Sequence, residues 1–426
     1  MPVSIGLYGG VHNQLSRGNI EGAPASLWAF SSDSDNRFWQ TLIYLDYNRT
    51  TPLAPSVLEA MQSYWSTHFL LPGQVHSQAQ AVSEALEGAR ENVASLVGCE
   101  PFEIVFTGGG TEANNLAIHG LLLHQGTGHV VSQGTVSQGT GHVLVSDLEH
   151  DSVLSAAAAL GANWEVERIP CPPSGVVDPD QVRELLRPET RLVCVQLASP
   201  VLGTIQPVRE IADACHNLGV PLHCDATQAF GKMPVDVTWL RADTLAVSGH
   251  KFYGPKGSGA VYIRSGIQLS PIAFGEPREM GLRPGAENVP AWIGLGAAAS
   301  LAAKCAEDAS STLFNLRERF SKGIIHTLRG EPVLLCDGSP RLANTVALEL
   351  PCSARQVQRV ARQLVFAASL SDAPPDEMTR ALRVVGRTES QIERTICVSL
   401  GWTSSQEQVD RAVELLADAC EVVAVS

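Results

Sequence analysis

The chain has 426 residues, 44% of them apolar and 17% charged, with a net charge of −14. This composition suits a packed globular protein large enough for two structural units. Its acidic balance argues against nucleic acid or an anionic membrane as partner. Ten cysteines stand singly, without a C-x-x-C pair or the clustered ligands zinc needs. They read as reduced, buried thiols of a cytoplasmic protein, and no metal is expected.

Residues 1–43 are rich in Gly, Ser, Asn and Asp and show no sustained period, so they read as a poorly ordered extension. They lack a basic segment followed by an apolar core, and no signal peptide is expected. From Tyr44 short apolar runs alternate with helical spacing. Strands are predicted at 103–107, 142–146, 191–197, 221–224, 244–248 and 259–263, with helices at 77–96, 111–123, 152–160 and 208–218. The alternation predicts an α/β fold with a mostly parallel sheet covered on both faces. Active sites in such sheets lie at the carboxyl ends of strands.

Between a predicted helix and strand, "QGTGHV" occurs at 125–130 and again at 138–143, and "VSQGT" at 131–135 and 136–140. This tract reads as a surface loop enlarged by duplication. His129 and His142 within it lack an accompanying carboxylate or thiolate in the sequence, which disfavours a metal site. The near-apolar stretch 289–303 is too short to span a bilayer and reads as a buried core helix. Beyond about 308 the segments 313–328, 343–350, 354–365, 397–400 and 407–420 suggest a smaller α+β unit. The expected division is a large domain of 54–308 and a small domain of 44–53 plus 309–426.

Three strand ends carry candidate chemistry. "VFTGGGTEANNLAIHG" (105–120) places three glycines and Thr111 at a helix start, where backbone N–H groups and the helix dipole can hold an anion. In "HCDATQAFGK" (223–232) Asp225 ends an apolar strand, either as a helix N-cap or as an acid paired with a protonated ring nitrogen. In "VSGHKFYGPKGSGAVYIR" (247–264) Lys251 is either an exposed loop lysine or an amine nucleophile activated by apolar surroundings. Each is common alone. In this order they fit pyridoxal 5'-phosphate (PLP): phosphate cradle, pyridinium partner and Schiff-base lysine. His150 in "LEHDSV" offers a flat ring to stack on the pyridine.

From Tyr44 onward the chain resembles the class V aminotransferase family, specifically its cysteine desulfurase and selenocysteine lyase branch. "YLDYNRTTPLAPSVLEAM", "TGGGTEANNLAIHG", "EHDSV", "DATQAFGKMPVDV", "SGHKFYGPKGSGAVYIR" and "RPGAEN" carry the likeness in family order. The resemblance implies the PLP-dependent transferase fold of type I and a homodimer with its site near the subunit interface. It implies that Lys251 bears the cofactor, Asp225 pairs with its ring nitrogen and His150 stacks on the ring. Gln228 would contact the phenolic oxygen, while Gly110, Thr111, Ser248 and His250 would hold the phosphate.

Four positions depart from the family pattern. Ala368 or Ser369 stands where the loop thiol belongs, in "VFAASLSDAPPDEMTRAL", and Cys397 in "ICVSLG" replaces the arginine that binds the substrate carboxylate. Pro200 in "SPVLG" replaces an asparagine, and Ala286 in "RPGAEN" a threonine that reaches the partner's phosphate. Arg394, three residues before Cys397 on a strand, would face the other side, which leaves Arg49 and Arg283 as stand-ins. The expected function is a PLP enzyme of the desulfurase or selenocysteine lyase type, acting on a sulfur- or selenium-containing amino acid and passing sulfur to an acceptor protein. The alternatives are a cofactor-binding paralogue without turnover that serves as a scaffold, and another class V lyase or transaminase acting on an unknown amine.

Overall fold

The computed structural model describes residues 42–126, 140–369 and 376–425. The extension up to residue 41, His129 with most of the repeat tract, and residues 370–375 lie outside them. The chain enters through β1 (Ile43–Tyr44) and builds a seven-stranded sheet from β2 (Ile104–Thr107), β3 (Gly141–Ser146), β4 (Trp164–Ile169), β5 (Thr190–Cys194), β6 (Leu222–Asp225), β7 (Thr244–Ser248) and β8 (Gly259–Ile263). The strand order is β2-β8-β7-β6-β5-β3-β4. Strands β3 to β7 run parallel, and β8 is antiparallel to both β7 and β2. The central strands β6 and β7, and the edge strand β2, are buried at every residue, which is why they read as unbroken apolar runs.

Strand β4 and the helix Pro179–Leu185 were not among the predicted elements. Strand β4 is one edge of the sheet, and in its sequence Trp-Glu-Val-Glu-Arg-Ile the polar residues Glu165 and Arg168 are exposed to solvent. Parallel register sets His142 opposite Glu165, and His142 Nε2 lies 3.1 Å from the Glu167 carboxylate. The sequence showed no carboxylate beside His142, but the sheet brings it two, with ligand atoms within 4.8 Å of one another. Arg187 already pairs with both, at 2.9 Å to Glu165 and more closely to Glu167. That pairing neutralises the edge.

A second sheet follows, from β9 (Val333–Leu334), β10 (Thr345–Glu349), β11 (Leu364–Val365), β12 (Ala367–Ala368) and β13 (Thr395–Ser399). Four of these form an antiparallel sheet ordered β12-β13-β10-β9, while β11 pairs in parallel with β1. The stretch 354–365, read as one segment, divides into the helix Ala354–Val360 and strand β11. This unit has its own core, including Phe320, Ile324, Val346, Leu348, Ile396, Val398 and Leu416.

The two units share the helix Val289–Thr327, and the expected boundary at 308 falls inside it. Its axis turns by 72° between the Val289–Cys305 and Asp308–Thr327 halves. No single helix among the described residues is long and apolar enough to cross a membrane. The first half buries Val289, Trp292, Leu295, Ala298, Ala299 and Ala302. There it packs on the helix Ser77–Val97 so closely that a Cβ on Gly296 would lie 2.5 Å from Ala89 Cα. The collision would be with backbone. Gly296→Val should therefore cost about 1–3 kcal/mol through overpacking. Urea unfolding would show it as a lower midpoint at unchanged slope.

Candidate active site

Lys251 ends the 3₁₀ turn Gly249–Lys251 directly after β7. The turn needs glycine at 249, because a Cβ there would collide with Ser258 Oγ. Lys251 Nζ donates to the carbonyls of Asn48 at 2.6 Å and Arg49 at 3.1 Å. Burial lowers its pKa; Glu377, Asp225 and Asp46 oppose that shift, and Arg49 adds to it. The amine is thus easier to deprotonate than a solvent lysine.

Asp225 ends β6 and is 4% exposed. One carboxylate oxygen accepts from the Thr227 N–H at 3.0 Å, and the other from Asn114 Nδ2 at 2.8 Å. The local Asx turn and the long-range acid role thus coexist. Asn114 also donates to Ser152 Oγ at 2.8 Å, and its Oδ1 accepts from His223 Nε2 at 3.0 Å. With Nε2 as donor, His223 Nδ1 accepts from the Thr244 hydroxyl at 2.9 Å. That tautomer is neutral, and burial pushes the His223 pKa down to about 4, against the pull of Asp225.

His150 caps the helix Asp151–Ala158, with Nδ1 accepting from the Ser152 N–H at 3.0 Å and lying 2.7 Å from Ser152 Oγ. Ser152 therefore joins His150 to Asn114 and, through it, to Asp225. Asn114, Ser152 and His223 were not singled out from the sequence. Two signals were present: Asn114 lies one helical turn beyond Gly110, and His223 shares a strand face with Asp225 by the period of two.

Gly110 opens the helix Gly110–Gly126. A Cβ at Gly110 would lie 2.7 Å from Thr227 Cγ2 and 3.4 Å from Ser248 Cβ. The glycine turn, the segment after β6 and the end of β7 therefore meet at one point. Thr111 is exposed beside them, in a first helical turn whose N–H groups lack intrahelical partners. His250 Nδ1 lies 3.1 Å from Thr50 Oγ1. Burial, reinforced by Lys251, Lys256 and Lys232, lowers the His250 pKa to about 4.

Gln228 is already engaged: Nε2 donates to the Asn48 carbonyl at 3.0 Å, and Oε1 accepts from Lys232 Nζ at 2.7 Å. One amide hydrogen is left for a cofactor oxygen. Lys232 is 5% exposed and rests on neutral acceptors, Gln228 and Asn48 Oδ1 at 3.0 Å. Burial lowers its pKa well below the usual lysine range.

The departures also find their places. Ser369 is buried, with its hydroxyl bonded to Thr379 Oγ1 at 2.5 Å. Cys397 is buried on β13, its thiol 3.7 Å from the Pro200 carbonyl. Burial pushes the Cys397 pKa far upward, and Asp46 adds to the shift. Arg283 pairs with Glu112 at 3.2 Å and lies over the Trp292 ring, so it is not a free carboxylate clamp. Arg394 pairs with Glu349 at 2.6 Å, consistent with a side chain turned to the other face. Arg49 is exposed, and Ala286 is exposed in the loop before the long helix.

A half-buried amine, a carboxylate held by two donors, and a glycine turn that a single Cβ would fill suit the amine-reactive carbon, ring nitrogen and phosphate of PLP. Comparison with known proteins gives the same answer. Residues 43–356 match the model of the family described as aminotransferase class-V. The chain is 34% identical over 387 residues to cysteine desulfurase IscS of Methanosarcina thermophila, covering 88% of this chain and 91% of that one. It is 35% identical over 384 residues to cysteine desulfurase IscS 1 of Archaeoglobus fulgidus, covering 88% and 95%.

Among solved structures, a NifS-like protein superposes with a TM-score of 0.80 at 26% identity, covering 90% of this chain and all 100% of that one. SspA in complex with cysteine superposes with a TM-score of 0.72 at 31% identity, covering 84% and 98%. The fold is thus the PLP-dependent transferase fold of type I. With the family model spanning most of the described core and these relatives most of the chain, the protein belongs to the PLP-dependent class V aminotransferase family, in its cysteine desulfurase branch.

Proposed function

We propose that this cysteine desulfurase-type protein is an enzyme that exchanges the primary amine of a sulfur- or selenium-containing substrate with Lys251. It then releases the sulfur or selenium without forming a persulfide on itself. The observation that carries this reading is the state of the two side chains nearest to an acceptor role. The Ser369 hydroxyl is enclosed on Thr379, and the Cys397 thiol is buried with its ionisation suppressed. Neither supplies a thiolate nucleophile. Without one, loss of sulfide with its electron pair balances without a reductant, whereas transfer of neutral sulfur lacks an acceptor on the chain.

PLP, when bound, supplies a carbon that condenses with amines and a ring that withdraws electrons from the substrate. Asp225 holds the proton on the ring nitrogen, and Asn114 and Thr227 keep its carboxylate oriented. Neutral His223 braces Asn114 from behind. The His150 ring, fixed through Ser152, would lie against the pyridine. First-turn N–H groups at Gly110 and Thr111, with Ser248 and His250, would hold the phosphate. Lys251, freed by exchange and depressed in basicity by burial, moves a proton at the substrate carbon next to the nitrogen.

A homodimer is part of the same proposal. Phe274 and Met280 are 81% and 55% exposed, and Phe102 is 61% exposed. Phe102 and Met280 line one open cleft of about 550 Å³ together with Arg90 and Glu279. Exposed apolar groups gathered in this way suit a subunit contact. Met280→Asp should shift the sedimentation coefficient of the holoprotein toward the monomer value.

The purified protein should show the visible absorbance of a lysine-bound pyridoxal, and Lys251→Ala should abolish it. Incubation with L-cysteine and with cysteamine should release sulfide from at least one, with no persulfide found on the protein by alkylation and mass spectrometry. Persulfide on the chain would overturn the proposal, and an unperturbed spectrum with every amine would favour the scaffold alternative.

The Asn114 network also predicts a pH response. His223 has a folded pKa of about 4, below its ordinary value, so the unfolded chain binds the extra proton first. Stability should fall as pH drops from about 6.5 toward 4. His223→Gln should flatten that decline in urea midpoints measured across this range.

A further inference from the structure

Glu149 stands directly before His150 and is 2% exposed. Its Oε1 accepts from two donors, the Ser146 hydroxyl at 2.7 Å and the Gln196 N–H at 2.6 Å. Ser146 ends β3 and Gln196 follows β5, so one carboxyl oxygen ties two strand ends together. The Gln196 side chain reaches back, its Nε2 donating to the Leu148 carbonyl at 2.5 Å. The next residue, Leu197, donates its N–H to the Asp225 carbonyl at 2.8 Å.

His150 and Asp225 are therefore joined by two routes. One runs from side chain to side chain through Ser152 and Asn114. The other runs through Glu149, Gln196 and Leu197 to the backbone of Asp225. A closed circuit of this kind fixes the gap between the imidazole and the carboxylate, because neither can shift without breaking a buried hydrogen bond.

The second oxygen, Oε2, is enclosed and has no hydrogen-bond partner among the described residues. A carboxylate would leave its charge there without a donor, whereas an undissociated acid leaves only a neutral hydroxyl. The groups that face Glu149 do not offset the cost of ionisation. Asp225 opposes it, and Arg168 on β4, which favours it, is shared with Asp147 at 2.8 Å. Cys194 on β5 and Cys224 on β6 are buried thiols whose own ionisation is suppressed. The adjoining His150 ring is turned to Ser152. Burial, with Asp225 adding to it, pushes the Glu149 pKa up to about 8, against the Gln196 and Ser146 bonds and Arg168.

We propose that Glu149 is a positioning residue that works as an undissociated acid. It holds His150 at a fixed gap from Asp225, so that Asp225 acts on the cofactor ring without a second carboxylate charge behind it. The proposal rests on the reading of Lys251, Asp225 and His150 as the PLP site. The Glu149 proton stays where it is, and no bond forms or breaks at this residue.

The test compares PLP-loaded wild type with Glu149→Gln and Glu149→Ala. An amide keeps an oxygen for Ser146 and Gln196 and cannot ionise, so Glu149→Gln should retain PLP within about twofold of wild type at neutral pH. Glu149→Ala removes the route through Gln196 and should lose PLP roughly tenfold more readily. As pH is raised, the visible band of the wild type should shift in a step near pH 8 that Glu149→Gln lacks. Urea midpoints give a readout independent of the band. The folded pKa lies above the ordinary carboxylate value of 4.5, so the wild type loses stability as pH rises from there to about 8. Glu149→Gln should escape that loss, its midpoint rising relative to wild type across the same window. Superimposable pH curves for wild type and Glu149→Gln in either measurement would overturn the undissociated acid, as would PLP loss from Glu149→Gln equal to that from Glu149→Ala. PLP held as firmly by Glu149→Ala as by wild type would overturn the positioning role. Absence of the band in the wild type would instead overturn the cofactor reading and the positioning role with it, while the urea series would still report the state of Glu149.

Discussion

Asn48 is the group on which the geometry of the site depends. Its carbonyl accepts from Lys251 and Gln228, and its side-chain oxygen from Lys232 and Asn344. Its amide nitrogen donates to the Pro200 carbonyl and Thr345 Oγ1, and its backbone N–H to Ser399 Oγ. One buried residue therefore ties both sheets to the buried Lys232 amine and the half-buried Lys251 amine. Satisfying every polar atom of Asn48 is what makes the burial of Lys251 and Lys232 tolerable, since neither amine rests on a carboxylate. The entry strand β1 and its continuation to Asn48 thus do more than begin the fold.

Around that hub the site divides into two halves. The half that would face the cofactor holds an acid, an amine, a glycine turn and a histidine ring, with Asn114, Ser152 and neutral His223 bracing the acid. The half that would face the substrate holds a buried thiol at Cys397 and an enclosed hydroxyl at Ser369. Among the described residues, Glu377 Oε1 is enclosed without a hydrogen-bond partner. A site can keep its cofactor chemistry while changing its substrate in this way, because the two tasks are carried by different strand ends and loops.

Much of this was legible in the sequence, for identifiable reasons. The central strands bury both faces and so read as apolar runs, and Gly110, Asp225, Ser248 and Lys251 stand at their carboxyl ends as an α/β sheet requires. Strand β4 escaped notice because an edge strand alternates its side chains. The segment 354–365 was taken as a unit because its helix and strand are both short. His142 looked isolated because its two carboxylates come from the neighbouring strand. Glu377 gave no signal at all: in a line of text it is one more acid near a helix start.

The sequence by itself determined the class of fold, the order of the cofactor-binding motifs and the absence of a thiol from the loop position. These are local facts, written as periodicity, glycine turns and the identity of single residues. Only the tertiary structure decided how Asn114 joins His223 to Asp225, that Ser369 is sealed on Thr379, and that, of the two arginines expected to stand in at Cys397, Arg283 is engaged by Glu112 while Arg49 is exposed. Those are matters of which buried donor meets which acceptor across segments far apart in the chain. Burial and pairing, not residue identity, set the charge that a side chain presents to a ligand.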